Sequence, residues 1–131
     1  MIMRTTQRLV MVAVLMASAV AMAPGAGAKA GDVIRTGACS SASHWKLKLS
    51  PEDEGIQVEF EVDQNKVGQT WRVRIRENGA QIFAGTRVTK APSGSFTVRR
   101  LAKDTAGKDS FRATATNAAT GESCVGVASI G

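Results

Sequence analysis

Three arginines alternate with apolar residues along Trp71-Arg72-Val73-Arg74-Ile75-Arg76. In a strand, alternate residues share a face, so the three guanidinium groups stand in one row. Each is a planar fork that can hold a phosphate or a carboxylate through two parallel hydrogen bonds. Whether the row is free to do so depends on what lies beside it. Glu59, Glu61 and Asp63 recur at the same period in the preceding segment, Ile56–Asp63. A direct hairpin between the two segments would set Asp63 against Arg72, Glu61 against Arg74 and Glu59 against Arg76. Each such pair would contribute roughly 0.2–1 kcal/mol, and the row would be an ordinary solvated face. If the intervening loop crosses between sheets, the acids and the arginines separate, and Arg87 and Arg112 from flanking strands join Arg72, Arg74 and Arg76 in a basic patch. A solvated face is the usual meaning of a charge run.

Other reactive side chains are sparse. His44 is the only histidine, and no nucleophile pattern surrounds it, so no catalytic residue is assigned. Glu52-Asp53-Glu54 supplies hard oxygen ligands without the regular spacing of a calcium loop, which makes a solvated turn the better reading and leaves no metal site. Glycosidase chemistry needs two facing carboxylates, and nothing singles out such a pair among the 11 acids. No motif calls for a cofactor. Trp71, in phase with Val73 and Ile75, reads as core, whereas Trp45 could stack on a sugar if it were exposed. Nucleic acid is not expected as a partner, because aromatic platforms interleaved with a strong basic excess are missing.

Strands must position these residues. Apolar side chains recur at intervals of two through Trp45–Leu49, Ile56–Asp63, Trp71–Arg76, Gln81–Lys90, Ser95–Leu101, Phe111–Thr116 and a last strand bearing Cys124, Val125 and Val127. Ser50 to Gly55 reads as a Pro- and Gly-bounded turn, and Asn78-Gly79 as a tight hairpin turn. In Gln81–Lys90 the alternation falters: with Ile82, Ala84, Thr86 and Val88 inward, Phe83 faces out and Gly85 marks a bulge. Seven or eight short strands without repeats or linkers predict an all-β, antiparallel sandwich.

Of the 131 residues, the first thirty read as a targeting segment. Arg4 and Arg8 precede an apolar run from Leu9 to Ala23, Pro24-Gly25 breaks it, and Ala26-Gly27-Ala28 offers a cleavage site. Residues 1–28 are therefore expected to be a signal-peptide helix, with cleavage after 30 as the alternative, and 29–131 a single domain with no transmembrane segment. Without Arg4 and Arg8 the 17 basic residues fall to 15 against 11 acids, a mild basic excess. Export to an oxidising compartment predicts that the only two cysteines, Cys39 and Cys124, pair.

From Ile56 onward the layout resembles the fibronectin type III and immunoglobulin-like class. The likeness rests on a Trp-led central strand, on Ser95-Phe96-Thr97-Val98 with Leu101, and on Phe111, Ala113, Ala115, Asn117 and Gly121 in order. Phe111 stands where that class usually has a corner tyrosine, and the cysteines sit on the first and last strands. In size, export and Thr97-Val98-Arg99-Arg100, the chain is also similar to small secreted actinomycete sandwiches, including those that carry enediyne chromophores. The resemblance implies an immunoglobulin-like sandwich. The expected function is that of a secreted, non-enzymatic binding or accessory module acting on an anionic wall polymer or a secreted protein. The alternatives are a small-ligand carrier with an apolar cleft and, third, a small hydrolase.

Overall fold

The computed structural model describes residues 29–131. The expected signal peptide, residues 1–28, lies outside them.

Eight strands form two four-stranded antiparallel sheets. The first holds β1 (Val33–Ala38), β2 (His44–Glu52), β3 (Gly55–Asp63) and β6 (Ser95–Ala102), in the order β1-β2-β3-β6. The second holds β4 (Thr70–Glu77), β5 (Ala80–Val88), β7 (Asp109–Asn117) and β8 (Ser123–Ile130), in the order β5-β4-β7-β8. The apolar residues of the period-two segments meet between the sheets: Leu47, Leu49, Val58, Phe60 and Val62 from one side, Trp71, Val73, Ile75, Phe111 and Ala113 from the other.

Residues 64–69 carry the chain from β3 in one sheet to β4 in the other, so the direct β3–β4 hairpin does not form. This crossing is tied down by specific bonds. The buried indole of Trp71 donates to Gln64 Oε1 at 3.0 Å. The Thr89 hydroxyl donates to the Lys66 carbonyl at 2.6 Å and accepts from the Gln69 amide at 2.9 Å.

The Asn78-Gly79 turn joins β4 to β5 with both residues at positive φ, 49° and 85°, as a tight hairpin requires. Just beyond it the register shifts between Ile75 and Arg76: Ile75 pairs with Phe83 and Arg76 with Gln81, leaving Ile82 as the extra residue of a bulge. The bulge reverses the expected phase of β5. Phe83 enters the core while Ala84, Thr86 and Val88 face solvent. Gly85 is not the bulge but lies beside Phe83, whose ring would approach a β-carbon there to 3.0 Å.

Two further elements differ from the sequence reading. β2 runs on through Pro51 to Glu52, because β1 pairs with it only as far as Leu49 and leaves β2 without a neighbour on that side, a position where proline is tolerated. β1 itself shows no apolar alternation and is held by its pairing with β2. Opposite β1, Trp45 lies between two glycines, one on the neighbouring strand and one on the facing sheet. A β-carbon would come within 2.7 Å of the indole at Gly37 and within 2.8 Å at Gly126. Cys39, just past β1, is bonded to Cys124 on β8, so the disulfide joins the two sheets across a sequence separation of 85.

Candidate functional site

The outer face of the second sheet is ordered in rows by its register. Thr86, Arg72, Thr116 and Ser123 lie side by side across β5, β4, β7 and β8. The next row is Ala84, Arg74, Thr114 and Val125, and the third is Gln81, Arg76, Arg112 and Val127. Arg72, Arg74 and Arg76 thus form a column along β4, all exposed, and Arg112 stands directly opposite Arg76 on β7. Arg74, Arg76, Arg112 and Thr114 line a small depression of about 190 Å³.

No acid shares this face. β5 and β8 contain none; the one acid of β4, Glu77, and the one acid of β7, Asp109, are both buried. Among the described residues, none of the four arginines has a salt bridge. The acids of β3 lie on the first sheet, and Glu59 finds its cations there. Arg99 on β6 meets Glu59 at 2.6 Å, and Lys48 on β2 lies 4.0 Å from Glu59 and 3.5 Å from Asp32. Glu61 faces Lys46, and Asp63 faces His44, across the β2–β3 ladder. Burial pushes the Asp32 carboxyl up, but hydrogen bonds from Ser50 and the Lys29 amide, with the Lys48 charge, leave it below its ordinary range.

Arg87 does not join the column. The Ile82 bulge turns it to the inner side of β5, where its guanidinium lies 5.0 Å from the centre of the Phe83 ring and donates to the Thr86 carbonyl at 2.9 Å. Arg100 of β6 stacks on the same ring at 4.9 Å. The two cations cover Phe83 at the seam between β5 and β6, a structural use of charge. The row partners Thr86, Thr114 and Thr116 were not legible as site residues, since only the register sets them beside arginines.

Two carboxylates do converge, at the end of the sandwich near the β4–β5 turn. Asp109 accepts hydrogen bonds from the Thr105 hydroxyl, from the Thr105 amide at 3.1 Å and from Asn78 Nδ2 at 3.0 Å. The Thr105 bond chiefly holds its carboxyl below the usual range, against the opposing push of burial. Glu77 shows the opposite shift: burial, then the negative charge of Asp109, push its carboxyl up, and among the described residues Oε2 has no hydrogen-bond partner. Split acidities of this kind can mark an acid–base pair. Here Glu77 is 7% and Asp109 0% exposed, so substrate has no access to them.

The remaining side chains singled out by type are placed elsewhere. Trp71 is fully buried and Trp45 half-buried, so neither offers an open ring face beside the arginines. His44 opens β2 and borders a depression of about 520 Å³ with Trp45, Lys46, Glu61 and Asp63. A third depression, about 420 Å³, is lined by Ser40–Ser43, Gln64, Lys66 and the β7–β8 turn. There the buried Glu122 carboxylate accepts from the Ser41 amide at 3.0 Å, the Ser43 amide at 2.9 Å and the Ser43 hydroxyl at 2.7 Å, bracing the loop beside the disulfide. Glu52, Asp53 and Glu54 are exposed at the β2–β3 turn, and among the described residues no group of three or more His, Cys, Asp or Glu is placed to hold a metal ion.

Comparison with protein-family models, curated proteins and solved structures finds no match to this chain.

Proposed function

We propose that the protein is a secreted, non-enzymatic binding module of immunoglobulin-like build that engages an anionic polymer through the outer face of its second sheet. One observation carries the reading. Of eleven acids, none stands on the face that presents Arg72, Arg74, Arg76 and Arg112. Guanidinium groups held in rows without counter-charges keep their hydrogen-bond donors available for phosphate or carboxylate. The depression on this face is about 190 Å³, below the size of an ordinary small-molecule pocket, which suits a chain laid along the arginines better than an enclosed ligand. The disulfide is consistent with an extracellular site of action, and the leader-like residues 1–28 supply the route.

Co-sedimentation of the disulfide-bonded protein with purified cell walls and with an insoluble anionic polymer, over a salt series, tests the reading. Binding should fall as salt rises, with a log–log slope of about −3 if four arginines each displace a counterion. Arg72→Ala/Arg74→Ala/Arg76→Ala should abolish it while the domain stays folded. Equal sedimentation of the two proteins would overturn the assignment.

A further inference from the structure

Resting on that reading, we infer that the polyanion is a linear polyol phosphodiester whose charges follow the axis of β4. Arg72, Arg74 and Arg76 are successive outward positions on one strand, so their backbone attachments are about 6.7 Å apart. A peptide residue, with three backbone bonds, extends by at most about 3.3–3.6 Å, so a chain with six backbone bonds per repeat extends by at most about 7 Å. A three-carbon polyol joined by phosphodiesters has that repeat, and each of its phosphates carries one charge. Three consecutive phosphates of a nearly extended chain therefore meet three consecutive arginines without looping.

The neighbouring strands fit the rest of such a chain. Each phosphodiester has two non-bridging oxygens for a guanidinium fork. The side chains level with the arginines are Thr86 and Thr116 at Arg72 and Ala84 and Thr114 at Arg74, so hydroxyls that can donate to the same phosphate stand beside two of the three forks. Arg112 beside Arg76 adds a second fork at one end of the row. A single-stranded nucleic acid has the same backbone repeat but also bases to be stacked, and this face carries no aromatic side chain.

The test uses the disulfide-bonded protein and fluorescently labelled poly(glycerol phosphate) fragments of increasing length, read by anisotropy at low salt. Poly-L-glutamate, oligothymidylate and phosphatidylglycerol vesicles serve as comparison probes. Affinity should climb up to about three repeats, and Arg72→Ala, Arg74→Ala and Arg76→Ala should each weaken binding roughly tenfold, as loss of one charged hydrogen-bonded contact would. Arg74→Lys, which keeps the charge and loses the fork, should also bind more weakly than wild type.

Poly-L-glutamate bound as tightly as the phosphodiester at equal charge would overturn the inference and leave the polyanion reading standing. Tighter binding of oligothymidylate, or binding to vesicles without binding to the soluble polymer, would also overturn it, assigning the face to nucleic acid or to lipid headgroups. No binding of any probe would remove both readings.

Discussion

Glu77→Gln is expected to change the pH dependence of stability, because Glu77 is the last inward residue of β4 and its Oε2 finds no hydrogen-bond partner among the described residues. Burial and the nearby Asp109 charge raise its carboxyl above its unfolded value of 4.5, so folding favours the protonated form. The stability this gives is fully present below the unfolded pKa and is lost as pH rises through the folded one. Asp109, held low mainly by Thr105, acts in the opposite sense: its contribution is present above its unfolded value of 3.8 and is lost as pH falls through the folded pKa. The Glu77 contribution should therefore decline as pH rises above 4.5, while the Asp109 contribution is lost only on the acid side. Glu77→Gln keeps the side-chain shape and cannot ionise, so it should remove the neutral-side decline. At pH 7 the gain should be about 1.4 kcal/mol for each pH unit that separates the folded from the unfolded value of Glu77. Urea denaturation of both proteins from pH 4 to pH 8 measures it. A parallel pH profile for the two, or a Gln variant less stable at pH 7, would mean that Glu77 does not ionise at a cost in the folded protein.

Other perturbations follow from the same packing. Replacing Cys39 and Cys124 by serine should cost about 4–5 kcal/mol on the chain-entropy model for a separation of 85 residues, read as a lower denaturation midpoint. Gly126→Ala places a methyl within 2.8 Å of the Trp45 indole and should destabilise by about 1–3 kcal/mol, with a shift in tryptophan emission marking the displaced ring. Arg87→Ala removes one of two cations stacked on Phe83, so it should lower stability by about 0.5–2 kcal/mol and leave polyanion binding unchanged. An Arg87→Ala protein that lost binding would place that arginine in the site.

Much of the architecture is written in local pattern. β3 and β4 alternate without a break, and Asn78-Gly79 can hardly be anything but the turn after β4. What escapes local pattern is whatever depends on a distant partner. β1 has no alternation of its own and exists because β2 offers an edge. β2 passes through Pro51 because its neighbour has already ended. The phase of β5 is set by one extra residue, Ile82, whose bulge is visible only in the pairing with β4. That single residue also decides the site, since it turns Arg87 away from the face and brings Thr86 onto it. The arginine column was legible as alternation; its freedom from acids was not, because that required knowing that residues 64–69 cross between sheets.

Amide chemical-shift mapping during titration with poly(glycerol phosphate) locates the proposed polyanion contact on, or away from, the outer face of the second sheet. The largest changes should fall on Arg72, Arg74, Arg76, Arg112 and the threonines beside them. Changes confined to loop lysines such as Lys66, Lys90, Lys103 and Lys108, or to the first sheet, would contradict that placement.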